Sequence, residues 1–84
     1  MSAARELSLV HRRASRLPAF LQPAPGLDQV EVTEVASGEV VLFWNVPSGE
    51  AKRFVQALRA DLATFATDEL LFRWSAVEAP GEHP

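Results

Sequence analysis

A small α+β domain, built as a two-layer sandwich in the order α-β-β-α-β, is predicted by three features of the chain. Residues 49–66 repeat apolar side chains at helical spacing, residues 27–46 hold two Val-rich runs around a Ser-Gly turn, and residues 70–77 set Leu70, Phe72, Trp74 and Ala76 opposite Arg73 and Ser75. Together they give a three-stranded sheet with an antiparallel hairpin and a crossover helix, around the one core that 84 residues can bury.

The first helix is expected over residues 1–17. Ser2 can cap it, and Ala3, Leu7, Val10, Ala14 and Leu17 follow at spacings of 4, 3, 4 and 3, which puts them on one face. Arg5, Arg12, Arg13 and Arg16 occupy the opposite face, and Pro18 ends the helix by pushing the residue before it out of the α region. Residues 18–26, with Pro18, Pro23, Pro25 and Gly26, then read as a stiff connector.

A ββαβ core is expected over residues 27–77. Val30 and Val32 share one face of a strand at 27–36, and Ser37-Gly38 makes the turn, with glycine able to take a positive φ. The partner strand at 39–46 is apolar on both faces: Val40, Leu42, Trp44 and Val46 on one, Val41 and Phe43 on the other. Pro47 stops that strand, Ser48 suits a helix N-cap, and Glu50 suits the positive end of the helix dipole. Ala51, Phe54, Val55, Leu58, Leu62 and Phe65 form the buried stripe of the helix at 49–66. Thr67 and Asp68 break it before the last strand at 70–77, and residues 78–84 form a tail, so that the whole of 1–84 reads as one domain.

Composition narrows the class of function. The chain is 48% apolar and 23% charged, the balance of a folded domain and not of a disordered one. It has no cysteine, which excludes disulfides and thiolate metal sites and fits a reducing cytoplasm. No apolar run approaches the roughly 20 residues of a membrane span. The N-terminal residues share arginine and serine with organellar transit peptides, but the amphipathic helix gives them a structural role. Charge is unevenly spread: residues 1–25 carry +3 and residues 26–84 carry −6, for a net −3.

Groups that perform chemistry are few. His11 and His83 are the only histidines, one on a helix flanked by arginines and one in the tail, and both read as solvated side chains. Glu31 and Glu39 across the hairpin, and Asp68 beside Glu69, are ordinary solvating acids. Two distant histidines without cysteine assemble no metal site. The Pro47-Ser48-Gly49-Glu50 segment has one glycine, and a carboxylate where a phosphate would arrive, so it reads as a helix start and not a phosphate loop. The element order is similar to that of KH-type nucleic-acid modules, but their Gly-x-x-Gly loop is missing, and no family is assigned. Neither a cofactor nor a catalytic residue is expected.

Two features carry functional content. The face formed by Arg5, Arg12, Arg13 and Arg16 suits an acidic protein surface or a phosphate backbone, or else it complements Glu31, Glu34 and Glu39 of the hairpin. Phe43, Trp44, Phe72 and Trp74 gather on two strands, where they either join the core or form an association surface. The expectation is a non-enzymatic protein-protein interaction or assembly module, such as a homodimeric regulator, adaptor or inhibitor. Its partner is a second copy of itself or a protein with an acidic surface. The alternative is a nucleic-acid-binding regulator that uses the arginine face, which the acidic body disfavours by repelling a polyanion.

Overall fold

The computed structural model describes residues 2–13 and 26–78. It is an α+β arrangement in which a three-stranded antiparallel sheet precedes two helices. The sheet comprises β1 (Leu7–Arg12), β2 (Leu27–Glu34) and β3 (Val40–Pro47), in that spatial order. The helices are α1 (Ser48–Thr64) and α2 (Thr67–Trp74), and a single 3-10 turn, Ala3–Arg5, precedes β1.

The hairpin forms as the alternation requires. Val30 pairs with Trp44, Glu31 with Phe43 and Val32 with Leu42, so Asp28, Val30 and Val32 on β2 and Trp44 and Val46 on β3 turn to one side and are buried. Gly38 closes the turn at φ +77, a conformation that costs glycine nothing. A register shift at Val32/Thr33 leaves one extra residue on β3, and it bends the strand near Val41.

α1 supplies the second layer. Its stripe, Ala51, Phe54, Val55, Leu58 and Leu62, is buried against the sheet, and Phe65 packs at its margin. Leu58, Leu70, Val30, Val32 and Val46 are the largest side chains wholly removed from solvent. Each contributes about 1.5–3 kcal/mol of apolar burial, which orients the helix on the sheet more firmly than any polar contact.

Two elements differ from the sequence expectation, and both corrections have a physical cause. Over its described residues, 2–13, the predicted first helix is a 3-10 turn followed by β1. Leu7, Leu9 and His11 alternate as a strand does, and β1 pairs with β2 over six residues from Leu7↔Glu34 to Arg12↔Gln29. A helix at residues 1–17 would have left the second edge of β2 without main-chain partners, so tertiary pairing overrides the 4-3-4-3 spacing. The N-terminal turn instead docks on the helices: Ala3 is fully buried, and its N–H donates to the Phe65 carbonyl at 2.7 Å.

The predicted strand at residues 70–77 is α2 with a short extension. Leu70, Leu71 and Trp74 follow the i, i+1, i+4 spacing of a helix face, whereas Phe72 is 82% exposed. Asp68 and Glu69 sit in the first turn and Arg73 in the last, each complementing the helix dipole, and Arg73 pairs with Glu69 one turn back. With that strand absent, the described residues contain no crossover connection, and the order of their elements is β-β-β-α-α. The expected connector at 18–26, except Gly26, and the expected tail beyond residue 78 lie outside the described residues, as does Arg16.

Candidate functional site

Of the four arginines expected on one helix face, Arg5, Arg12 and Arg13 are described, and no helix aligns them. Arg5 is exposed at the end of the 3-10 turn, Arg12 forms an ion pair with Glu31 on the sheet surface, and Arg13 is exposed just past β1. Glu31 and Glu39 do not pair: Glu31 is engaged by Arg12, and the Glu39 main chain bonds the Ser37 hydroxyl in the turn.

The four aromatics separate into two kinds. Trp44 and Trp74 are each 7% exposed and belong to the core, where they meet Phe54 in a mutual edge-to-face trio with centroid distances of 5.1–5.7 Å. Both indole N–H groups are satisfied: Trp44 donates to the Val77 carbonyl at 3.0 Å and Trp74 to Asp61 Oδ2 at 2.9 Å. Phe43 and Phe72, by contrast, are exposed.

Phe43 lies on β3, an edge strand. The Ser48 N–H donates to the Gly26 carbonyl at 2.8 Å, and Leu27 stands opposite Pro47, which sets the phase of the ladder. By the two-residue alternation of an antiparallel pair, the main-chain groups of Val46 and Trp44 face β2, while those of Phe43 and Asn45 face the outer edge, which has no further strand among the described residues. Pro47, which has no N–H, falls at an outward position where none is needed for the β2 ladder. No residue of β3 is charged, and Val40 and Phe43 are exposed along it. A groove of about 440 Å³ runs beside this edge, with Val41, Leu42 and Phe43 on one side and Trp74, Val77 and Glu78 on the other.

A second concave site lies at the other end of the sheet. Asp28 takes an inward position on β2, between apolar neighbours, and is 5% exposed. Its carboxylate accepts from His11 Nε2 on β1 and from Ser48 Oγ at the start of α1, each at 2.7 Å, so one buried acid ties three elements together. The acid stands between serine and imidazole, whereas a hydrolytic relay needs the imidazole between serine and acid. Ser48 is therefore not activated by His11. Arg13, Ala51 and Lys52 complete a pocket of about 350 Å³ around these groups.

This cluster was missed in the sequence because a helix over residues 1–17 placed His11 on a solvated face. The signal was present on β2: an acid at position 28 in phase with Val30 and Val32 needs a buried partner. Among the described residues no set of three His, Cys, Asp or Glu side chains forms a metal-binding group, and no described helix is long and apolar enough to cross a membrane. Comparison of the chain with protein-family models, with curated proteins and with solved structures finds no match.

Proposed function

We propose that this protein is a non-enzymatic assembly module that associates with a second copy of itself through the edge of β3. The observation that supports the reading is an eight-residue edge strand with no charge, whose Phe43 main-chain N–H and C=O point outward. Folded proteins guard exposed edges with charge among other devices, and β1 carries His11 and Arg12, with Arg13 just beyond it, whereas β3 carries no charge and has only the bulge at Val41 and Pro47 at its end. Two copies related by a two-fold axis at Phe43 bring identical groups together: each Phe43 donates to and accepts from its counterpart, and the phenyl rings meet across the strands. β3 itself contributes no charge to the seam of two acidic chains, and Glu78 is the carboxylate that lines the groove beside it. The lack of cysteine suits assembly in the cytoplasm.

Sedimentation equilibrium of the wild type and of Phe43→Lys tests the reading. The wild type is expected to fit a monomer-dimer equilibrium and the variant a monomer, with the same far-UV circular dichroism. A wild-type chain that stays monomeric at the highest concentration reached overturns it. The nucleic-acid alternative is less well supported, because among the described residues Arg5, Arg12 and Arg13 lie on no helix and Arg12 is paired with Glu31.

A further inference from the structure

We propose that Glu78 limits the strength of self-association through β3, as a like charge that each copy brings to the seam. This rests on the two-fold pairing of β3 at Phe43 and names the residue that regulates it.

The geometry of the pairing decides where Glu78 goes. Antiparallel pairing of two edge strands continues a sheet about an axis perpendicular to it, so both copies keep their helices on the same face. The groove of about 440 Å³ lies between β3 and the residues at and beyond the end of α2, which places it on that face and against the seam. Position along the strand is fixed as well. The Trp44 indole N–H donates to the Val77 carbonyl at 3.0 Å, so the residue before Glu78 is tied to the residue after Phe43. With the axis at Phe43, Trp44 of one copy stands opposite Leu42 of the second copy, and the two tied segments face each other across the middle of the seam.

What meets there is uncharged apart from one group. Of the described residues that line the groove, Glu78 alone carries a charge. Among the described residues no cation forms an ion pair with it: Arg73, the nearest in sequence, is held by Glu69 and lies over the Phe65 ring at 4.3 Å. In a separate copy the Glu78 side chain is exposed, and water screens it. Pairing brings two such carboxylates together beside apolar walls, where screening is weaker and the repulsion larger. Neither β3 supplies a compensating charge. A cation at position 78 of one copy alone turns this repulsion into attraction.

Sedimentation equilibrium of the wild type, Glu78→Gln and Asp68→Asn gives the first readout. Asp68 is exposed in the first turn of α2 and does not line the groove, so its variant matches the change in net charge without touching the seam. Glu78→Gln is expected to tighten the dimer roughly threefold or more, and Asp68→Asn to leave it close to the wild type. The second readout is native mass spectrometry of an equimolar mixture of the wild type and isotope-labelled Glu78→Lys. Mixed dimers are expected in excess of their binomial share, because glutamate and lysine then meet at the seam. Equal affinities of Glu78→Gln and Asp68→Asn, or binomial proportions in the mixture, overturn the role of Glu78 while the dimer itself stands or falls with Phe43→Lys. Chains that stay monomeric in every variant overturn the pairing and the role of Glu78 together.

Discussion

Asp28 occupies a position where the strand pattern calls for a valine, and what makes it tolerable is that both oxygens of its carboxylate have donors. Those donors come from β1 and α1, so the residue fixes the end of the first strand and the start of the long helix at once. Asp28→Ala would leave the imidazole and the Ser48 hydroxyl without their acceptor in a half-buried site. The expected loss is about 1–3 kcal/mol in urea unfolding. Asp28→Asn retains the shape and one acceptor oxygen, and is expected to lose about half as much. An unchanged urea midpoint in Asp28→Ala would mean that the three elements are held by apolar packing alone. The two tryptophans follow the same rule: each is admitted to the core because its N–H finds an oxygen, on Val77 or on Asp61.

At the scale of elements, α2 separates two readings of one stretch of chain. If residues 70–77 were a strand, Leu70 and Phe72 would lie on one apolar face and matter alike. In the helix Leu70 is wholly buried and Phe72 is 82% exposed. Phe72→Glu is therefore expected to change stability by less than about 0.5 kcal/mol, and Leu70→Ala to lower it by about 2–5 kcal/mol. Similar losses for both would return the segment to a strand. The hairpin and α1 were legible because propensity, turn chemistry and periodicity agree there: Val30 and Val32, Gly38 and the Ala51-to-Leu62 stripe each admit one local structure. β1 and α2 were not, because each segment is short and carries both periods. Leu7, Leu9 and His11 alternate while Ala3, Leu7 and Val10 repeat helically, and only the open edge of β2 decides between them. The acids at 68 and 69 with Arg73 were a helix signal in plain view, outweighed by the aromatic alternation. Of the candidate site residues, Phe43 and Phe72 are exposed, Trp44 and Trp74 are core, and the pocket residues depended on a strand that the spacing hid.

Across the whole molecule the sheet is covered by α1 and α2 on one face and ends in two unlike edges. β1 carries His11 and Arg12, and β3 carries no charge at all. A single polypeptide of this size leaves much of its apolar surface marginally covered, so pairing at one edge adds stability that a lone copy lacks. If the β3 edges associate, association is coupled to folding of the monomer, and mass action ties stability to protein concentration. Each tenfold rise in concentration then adds about 1.4 kcal/mol per dimer, which moves the urea midpoint of the wild type upward over a roughly hundredfold range of concentration. Phe43→Lys places a cation on the seam of each copy and should unfold at a lower midpoint that does not vary with concentration. The Phe72→Glu variant, altered on α2 and not on β3, should keep the wild-type dependence. A wild-type midpoint that stays constant over the same range would show that the uncharged edge is left unpaired, and self-association through β3 would have to be abandoned.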